Sequence, residues 1–411
     1  MEDPPRFLSS FFGVFLKGKS KRKSGPSEGN EKQTRSRNPA ALPEEIHRQF
    51  SLDQIRAATC NFRRDLIVGD GVFGTVYKGF LNDGNLVVAV KRLKSDLEPG
   101  AGYEEFQTEL LMLCQLNHQN LVFLLGFCFD EGEMILVYEF MGKGKLSDRL
   151  YGSRYDPLPW KLRLEICIGA AHGLRYLHTG AKRAIIHGNV NSGDILLDDN
   201  WVCKLSDFRA SKLRPRSNSK SKTTERIDTL VQGNYGYLDP EYLETAQLEE
   251  KCDVYSFGVV LFEVLCVRRP FVVHGDGEMT FLVDLALQSI REGTIYDIID
   301  PYLKGRIAPE CFEMFVDIAG SCTSVVGDER PEMGEVEVML ERALELQEKA
   351  DSDPAHMAPY GEYAYEEASL CAFVPPHKCR AESNSSDAES VSGLTYPTMD
   401  RGDIESISSD E

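Results

Sequence analysis

Three glycines early in the chain have the spacing of a phosphate-binding loop. Gly69, Gly71 and Gly74 stand in the stretch VGDGVFGTVYKG. Backbone amides without bulky side chains can close over nucleotide phosphates, but the same spacing also opens the dinucleotide-binding unit of dehydrogenases. In that unit the glycines begin a helix, whereas here TVYKGFLNDGNLVVAVKRL alternates like two strands around a turn at residues 82–84. The pattern therefore predicts a glycine-rich turn between strands and argues against a dehydrogenase.

A lysine and a glutamate that follow complete a candidate phosphate site. Lys91 ends the strand-like run VVAVK, where its ammonium group can reach the α- and β-phosphates of a nucleotide. Glu109 lies in YEEFQTELLMLCQL, a stretch whose apolar residues recur at helical spacing. The order of strand lysine, helix glutamate and then the strand ILVYEFM is long and specific. We therefore expect Glu109 to pair with Lys91 rather than to be a solvated helix residue.

Two kinds of pattern divide the chain around these residues. From about residue 62 to 135 the sequence favours strands, and from about residue 160 onward it favours helices. A short helix is predicted before the strands, because Ser51 followed by Gln54 fits a capping box. The stretch DVYSFGVVLFEVLCV is apolar nearly all round, which predicts a buried helix. It is too short for a bilayer, which requires roughly 20 residues, and it contains Asp253 and Glu263.

Composition limits the kinds of protein that this chain can be. Its 411 residues, of which 42% are hydrophobic, are sufficient for a sizeable globular core. The formal net charge of -19 argues against a general nucleic-acid binder, since phosphate recognition needs clustered Lys and Arg. The 11 cysteines have neither disulfide-framework nor zinc-ligand spacing, which indicates a reducing compartment.

Residues 1–49 and 348–411 have the composition of disordered tails. The first tail is basic and contains the apolar stretch FLSSFFGVFL before the run KGKSKRK. Apolar and basic residues together suit an anionic membrane surface, so residues 7–23 are either a peripheral membrane contact or a solvated arm. The sequence predicts no signal peptide here, because acidic residues precede the apolar stretch and no small-residue cleavage site follows it. It predicts no lipid anchor either, because no Gly follows Met1 and no Cys precedes Cys60. The second tail is acidic and rich in Ser.

The motifs from about residue 62 to 347 resemble those of a protein kinase catalytic domain. FSLDQIRAATCNF, GYLDPEY, KCDVYSFGVVLFEVL and DERPEMGEV are similar to stretches of plant receptor-like kinases, especially the FERONIA-like branch of malectin receptors. The resemblance implies an α+β, two-lobed protein kinase fold within residues 50–347. Its small β-rich N-lobe would span about 62–141 and its larger helical C-lobe about 142–347. It also implies ATP as the ligand and Mg²⁺ as the accompanying metal.

The resemblance assigns further roles of the family to residues of both lobes. One group surrounds the adenine: Val76, Ala89, Leu196, the gatekeeper Tyr138 and, through backbone groups of the hinge, Glu139 and Met141. A second group is structural: His187, Phe208 and Leu113 stack between the lobes, Glu241 and Arg330 form a buried ion pair, and Asp253 ties down the catalytic loop.

The stretch IIHGNVNSGDILLDD, residues 185–199, departs from the family at the residues that would transfer phosphate. The family's loop reads His-Arg-Asp-x-Lys-x-x-Asn, but Asn189 takes the place of the Asp that accepts the substrate proton. Asn191 takes the place of the Lys that steadies the γ-phosphoryl group, and Asn234 that of a hydroxyl residue bonded to both. An amide is not a base near pH 7, and a base typically contributes about 10² to 10⁴-fold to the rate. We expect a loop that keeps its shape and loses its charges.

Positions near this loop also differ from the family. Gly188 replaces the Arg that would clasp a phosphorylated activation loop, so the usual activating switch is not expected to operate. Arg209 in SDFRAS replaces a Gly; it either pairs with Asp207 or Glu109, in competition with Mg²⁺ or Lys91, or points to solvent. Asp194 stands where the family has a metal-binding Asn. Asp194 and Asp207 are therefore the predicted metal ligands.

These departures predict a pseudokinase, which is a nucleotide-binding kinase-like domain that acts as an allosteric partner or scaffold in receptor-like kinase signalling. Two alternatives stay open. A Ser/Thr protein kinase of low activity is favoured by the presence of Lys91, Glu109 and Asp207. A nucleotide-free interaction module is favoured if Arg209 fills the site. The expected partners are proteins, in particular receptor-like kinases, and the expected location is the cytoplasm, at the inner face of the plasma membrane if residues 7–23 bind there.

Overall fold

The strand-rich first part of the chain forms a six-stranded sheet in the computed structural model. Its strands are β1 (Arg48–Gln49), β2 (Ile67–Gly71), β3 (Gly74–Leu81), β4 (Leu86–Leu93), β5 (Leu124–Cys128) and β6 (Ile135–Glu139). They lie in the order β1-β5-β6-β4-β3-β2; β1 pairs with β5 in parallel and the other pairs are antiparallel. The predicted turn between β3 and β4 is present, and all three of its residues, Asn82, Asp83 and Gly84, have positive φ.

The structure describes residues 48–94, 101–214, 227–228, 233–275, 277–353 and 364–365. The predicted membrane-contact segment at residues 7–23 lies outside them, as do most residues of the two predicted tails. Within the described ranges, no helix combines the length and the apolar character needed to cross a membrane.

A short helix, α1 (Leu52–Ala58), covers one face of the sheet. It packs together with Phe50 against buried side chains of β3, β4, β5 and β6. The predicted capping box is confirmed: Ser51 Oγ accepts from the Gln54 N–H at 3.3 Å, and Gln54 Oε1 accepts from the Ser51 N–H at 3.0 Å. The cap satisfies amide groups that the first turn of a helix otherwise leaves unbonded.

The opposite face of the sheet carries the candidate phosphate lysine. Val88 and Val90 of β4 are fully buried against the α1 side. Because side chains alternate along a strand, Ala89 and Lys91 face the other way. On that side lies α2 (Ala101–Leu113), the helix predicted from the spacing of its apolar residues. This alternation places Lys91 between the sheet and α2.

Helices make up most of the second part of the chain, which gives the two-lobed α+β fold that the resemblance implied. They are α3 (Leu146–Tyr151), α4 (Trp160–Arg175), α5 (Pro240–Thr245), α6 (Glu250–Cys266), α7 (Leu282–Glu292), α8 (Ile295–Ile298), α9 (Pro309–Cys322) and α10 (Met333–Asp351). A three-stranded sheet joins β7 (Gly144–Lys145), β9 (Ile195–Leu197) and β10 (Cys203–Leu205). Three further pairs join β8 (Ile185–Ile186) to β11 (Lys212–Leu213), β12 (Ile227–Asp228) to β13 (Gln247–Leu248), and β14 (Phe271–Val273) to β15 (Met279–Phe281).

The helix α6 lies at the centre of the helical lobe. Its residues from Cys252 to Cys266 are buried, apart from the half-buried Ser256. The prediction of a buried helix is therefore confirmed, and the carboxyl groups of Asp253 and Glu263 lie inside the protein rather than at its surface. Buried carboxyl groups need hydrogen-bond donors around them, and those of α6 find theirs in the catalytic loop and beside it.

A buried ion pair joins the segment before α10 to the segment before α5. Arg330, whose side chain is fully buried, donates to both carboxylate oxygens of Asp239 at 2.6 Å. The resemblance assigned this pair to Arg330 and Glu241; Glu241 Oε2 instead accepts from the backbone N–H of Gly327 at 2.8 Å. Asp239, two positions before Glu241, is thus a partner of Arg330 that the sequence did not identify. The two-pronged geometry is the one in which Arg binds carboxylates most strongly.

Candidate nucleotide-binding site

Lys91, Glu109 and Tyr138 meet where β4, β6 and α2 come together. Lys91 Nζ lies 2.7 Å from Glu109 Oε2, and the Tyr138 hydroxyl donates to Glu109 Oε1 at 2.7 Å. Both oxygens of the buried Glu109 carboxylate are thus engaged, so this glutamate is not a solvated helix residue. Burial lowers the pKa of Lys91, but the carboxylates of Glu109 and Asp207 outweigh it and hold the pKa above its usual value. Lys91 therefore remains charged and can face a phosphate group.

The residues predicted to surround the adenine lie on both lobes. Val76 is opposite Lys91 across β3 and β4, and Ala89 is opposite Tyr138 across β4 and β6. Leu196 lies on β9 in the other lobe, and both Ala89 and Leu196 pack against the main hydrophobic core.

The predicted hinge follows directly from β6. Glu139 is the last residue of that strand, and its carboxylate accepts from Lys204 Nζ at 2.7 Å and from the Phe123 N–H at 2.8 Å. Met141 is buried two residues later, and its carbonyl oxygen accepts from the Gly144 N–H at 3.1 Å. The side chain of Glu139 thus ties the end of β6 to residues 123 and 204, so any contact of Glu139 with the predicted adenine would be through its backbone groups.

The glycines of the predicted phosphate loop line the turn between β2 and β3. A methyl group on Gly74 would lie 2.7 Å from the carbonyl oxygen of Arg92, so packing of the strands requires glycine there. On Gly71 such a group would meet nothing within 4 Å, and on Gly69 it would lie 3.8 Å from Val76. Packing does not require these two glycines, and they leave open space above the backbone in which a ligand can approach.

Hydrogen bonds to α6 hold the catalytic-loop segment between β8 and β9 in place. Asp253 accepts from the backbone N–H groups of His187 and Gly188, each at 2.8 Å, and from His178 Nε2 at 2.8 Å. The His187 and Phe208 rings lie 5.0 Å apart, as the expected stack between the lobes requires. Gly188 has a φ of +78°, and a Cβ there would lie 3.0 Å from the Ala210 carbonyl oxygen. This backbone favours the glycine that replaces the family's Arg.

Asn189, Asn191 and Asp194 form one hydrogen-bonded group in this loop. Asp194 Oδ2 accepts from Asn191 Nδ2 at 2.5 Å and from Asn189 Nδ2 at 3.0 Å. Asn191 Oδ1 accepts from the backbone N–H groups of Gly193 and Asp194 at 2.9 and 3.1 Å, while Asn189 Oδ1 accepts from the Asn234 N–H at 3.2 Å. The amides bond to Asp194 and to the backbone, and these bonds maintain the shape of the loop around a single carboxyl group.

Arg209 binds the carboxylate of Asp207. Its Nε and Nη2 donate to the two oxygens of Asp207, the second at 2.5 Å. The centre of its guanidinium group lies 3.6 Å from the centroid of the Phe73 ring, which is at the tip of the turn between β2 and β3. Its Nη1 lies 3.8 Å from Glu105 Oε2 on α2, and only 16% of its side chain is exposed. Of the orientations that the sequence left open, the structure shows pairing with Asp207 and not exposure to solvent.

Asp194 and Asp207, the predicted metal ligands, lie close together but already have partners. Asn189 Nδ2 is 3.0 Å from Asp194 Oδ2 and 3.5 Å from Asp207 Oδ2. Both oxygens of Asp207 accept from Arg209, and its Oδ1 also lies 3.6 Å from Lys91 Nζ. Mg²⁺ demands near-octahedral oxygen ligands and usually keeps several waters. The residues as arranged do not fit Mg²⁺, because a guanidinium group occupies the carboxylate that would bind it.

The two carboxyl groups have opposite electrostatic surroundings. Burial raises the pKa of Asp194 to about 8, and the negative charge of Asp207 acts in the same direction. Burial acts on Asp207 as well, but the positive charges of Lys91 and Arg209 outweigh it and hold the pKa of Asp207 below its usual range. Near neutral pH, Asp207 is therefore ionised and Asp194 is mostly protonated.

Sequence reasoning missed two sets of contacts in this site. It did not single out Phe73, although an aromatic residue between the glycines VFG is a signal that could have been noticed. It also missed that Ser192 Oγ donates to the buried Glu263 of α6 at 2.9 Å and lies 3.1 Å from the Tyr237 hydroxyl. These contacts join residues far apart in the sequence, so spacing gives no sign of them.

The two-lobed fold and the lysine and glutamate between its lobes are those of the protein kinase class. Residues 62–340 match the sequence profile of the protein tyrosine and serine/threonine kinase family, and the chain belongs to that family. The receptor-like protein kinase FERONIA of Arabidopsis thaliana is 48% identical over 314 residues, which make up 76% of this chain and 34% of that protein. The receptor-like protein kinase ANXUR2 of the same organism is 50% identical over 304 residues, 74% of this chain and 34% of that protein. The predicted resemblance to plant receptor-like kinases is thus confirmed, over about a third of the length of these relatives.

Proposed function

We propose that this protein is a pseudokinase: it binds a nucleotide between its lobes but does not transfer phosphate at ordinary kinase rates. The observation that carries the proposal is the hydrogen-bonded group of Asn189, Asn191 and Asp194, which stands where the family's base and phosphate-binding lysine would stand. Nucleotide binding is supported by the charged Lys91 beside the open turn of Gly69 and Gly71.

The chemistry of phosphate transfer lacks its acid–base group in this arrangement. The Asn189 amide is neutral, and its nitrogen donates toward the two carboxyl groups of the site. Asp194 does not substitute as a base, because one of its oxygens already accepts from two amides and burial keeps the group mostly protonated. Asn191 brings no positive charge to the place where the transition state needs one. The loss therefore involves both proton transfer and electrostatic stabilisation.

A role through protein contacts follows from a folded domain that lacks this chemistry. The relatives named above are receptor-like kinases, so we propose that partners of that class bind this chain, which serves them as an allosteric partner or scaffold. We place it in the cytoplasm, at the inner face of the plasma membrane if residues 7–23 contact lipid.

A labelling assay tests the missing activity. Purified protein is incubated with radiolabelled ATP and Mg²⁺, alone and with a generic protein substrate, beside a Lys91→Ala variant. We expect the two proteins to incorporate equally little label, since removing the phosphate lysine cannot lower an activity that is absent. Labelling of the wild type at ordinary kinase rates, with none by Lys91→Ala, would show an active kinase and refute the proposal.

A Ser/Thr protein kinase of low activity is the alternative favoured by the contacts among Lys91, Glu109 and Asp207. The double variant Asn189→Asp with Asn191→Lys separates this alternative from a blocked site. A large gain in labelling means that the site lacks only these two groups, whereas no gain points to Arg209 or Gly188. A nucleotide-free interaction module, favoured by the pairing of Arg209 with Asp207, predicts no thermal shift with ATP in the presence or absence of Mg²⁺.

A further inference from the structure

Arg209 lies against the carboxylate that a divalent cation would otherwise contact. Its Nε and Nη2 donate side by side to the two oxygens of Asp207, which is the bidentate geometry in which guanidinium groups bind carboxylates. From this geometry we infer that Arg209 is a built-in cation that replaces Mg²⁺, so that the site binds a nucleoside triphosphate free of metal. The inference rests on the proposed nucleotide binding and specifies the chemical form of the ligand.

The guanidinium group has donors available for phosphate oxygens. It carries five N–H groups, of which the contacts with Asp207 use those on Nε and Nη2 that face the carboxylate. Its Nη1 lies 3.8 Å from Glu105 Oε2, a separation longer than a hydrogen bond. Glu105 Oε2 is itself buried without a hydrogen-bond partner among the described residues. The edge of Arg209 that does not face Asp207 is therefore able to donate to an anion.

The position of Arg209 is fixed before any ligand arrives. The Phe73 ring covers its guanidinium group at 3.6 Å, and the side chain is 16% exposed. Phe73 belongs to the glycine-rich turn, and its carbonyl oxygen accepts from the Lys94 N–H at 3.1 Å. Stacking on an aromatic ring and pairing with a carboxylate both suit the flat guanidinium group, and together they hold it without a further cost in side-chain entropy on binding.

Lys91 and Arg209 both approach the carboxylate of Asp207, so both could contact the phosphates of a bound nucleotide. Lys91 Nζ is 3.6 Å from Asp207 Oδ1, the oxygen to which Arg209 Nε also donates. Arg209 brings one positive charge to Asp207, where a metal ion brings two in related sites, and Lys91 lies beside it as a second group that can face the phosphates. A divalent cation at Asp207 would have to displace the guanidinium group or lie beside it, and repulsion makes both unfavourable. Metal is therefore expected to weaken nucleotide binding or to leave it unchanged.

Calorimetric titration of the full chain with ATP, once in excess EDTA and once in excess Mg²⁺, tests the inference. We expect the wild type to bind ATP in EDTA at least as tightly as in Mg²⁺. An Arg209→Gln variant should bind roughly 10-fold or more weakly in EDTA, the loss expected when charged hydrogen bonds are removed, and should recover affinity when Mg²⁺ is added. Arg342→Gln is the matched control, since it removes one positive charge from an exposed position on α10 and should leave both titrations unchanged.

The possible outcomes separate this inference from the proposed function. If the wild type binds ATP only with Mg²⁺, the built-in cation is refuted while nucleotide binding stands. If it binds in neither buffer, both proposals fail and the nucleotide-free module is supported. If Arg209→Gln binds metal-free ATP as tightly as the wild type does, Arg209 is not the group that replaces the metal.

Discussion

The two sides of the cleft differ in how much of the kinase arrangement they preserve. On the sheet side, Lys91 bonds to one carboxylate oxygen of Glu109 at 2.7 Å, and the Tyr138 hydroxyl donates to the other. On the helical side, Asn189 and Asn191 bond to the carboxyl group of Asp194 and stand where the family has its base and its phosphate-binding lysine. The side proposed to bind a nucleotide keeps the family's residues, whereas the side that carries the family's transfer chemistry has different ones.

The helical side shows how reactive groups can be lost without loss of structure. Two of the exchanged residues illustrate this: the Asn191 amide bonds to the backbone of its own loop, and Arg209 bonds to Asp207 and stacks on Phe73. Buried polar groups that are satisfied cost little, whereas an unpaired one costs about 1–3 kcal/mol. The loop is therefore stable without the family's base and lysine, which is compatible with the proposed role through protein contacts.

If only the helical side of the cleft is impaired, restoring the family's residues there should restore phosphate transfer. We expect the triple variant Asn189→Asp, Asn191→Lys and Arg209→Gly to label itself with radioactive ATP at least about 10²-fold faster than the wild type, because it regains a base, a cation and a free metal ligand. Adding Lys91→Ala to the triple variant should abolish the gain. A triple variant that folds, binds ATP and remains inactive would show that the sheet side is impaired as well.

The scaffold beneath both sides should contribute far more to stability than the exchanged residues do. Arg330 and Asp239 form a fully buried ion pair, and removing one partner leaves the other charge buried and uncompensated. We expect Arg330→Ala to lower the free energy of unfolding by about 3–5 kcal/mol in urea titrations. Arg342→Ala, at an exposed ion pair on α10, is the control and should change it little. An Arg330→Ala variant as stable as the control would mean that the pair is not part of the scaffold.

Much of the fold was predictable because its signals are local or periodic. The turn at residues 82–84, the capping box of Ser51 and Gln54 and the buried helix α6 each follow from a few neighbouring residues or from one repeat. The pairing of Arg209 with Asp207 was one of the orientations that the sequence left open, but its stacking on Phe73 was not predictable, because Phe73 is far away in the sequence. The pair of Lys91 and Glu109 could be predicted from the order of motifs, whereas the contacts of Ser192 with Glu263 and Tyr237 join distant residues that no spacing reveals.

The contact between α6 and the catalytic-loop segment adds a titratable group to the helical side. The Tyr151 hydroxyl lies 2.5 Å from Glu263 Oε1 and donates to the Arg268 carbonyl oxygen at 2.8 Å. A hydroxyl has one hydrogen, so it cannot donate to both, and a proton on Glu263 resolves the conflict. Burial raises the pKa of Glu263 to about 7, in agreement with this arrangement. Ser192 of the loop bonds to the same oxygen at 2.9 Å, so the loop is coupled to this proton.

The stability of the helical side should therefore fall as the pH rises. The folded protein keeps the Glu263 proton to about pH 7, whereas the unfolded chain loses it near its usual pKa of 4.5. The folded state binds more protons in this window, so the free energy of unfolding falls between these values, by roughly 3 kcal/mol in total, and levels off above. Urea unfolding at about pH 5 and about pH 8 measures the slope. Glu263→Gln should remove this part of it, and a variant with an unchanged slope would exclude Glu263 as its source.

The smallest effect concerns the boundary between the two sides, where Glu105 of α2 faces Arg209. Their closest atoms are 3.8 Å apart, and the Glu105 charge competes with an incoming phosphate for the same guanidinium group. Removing that charge in Glu105→Gln should tighten binding of metal-free ATP by a few-fold, because a charge pair at this distance contributes about 1 kcal/mol or less when partly exposed. Glu104→Gln, its neighbour on α2, is the matched control. Tighter binding by Glu105→Gln alone would place the phosphates at the free edge of Arg209, whereas weaker binding would mean that Glu105 helps to position Arg209 for the ligand.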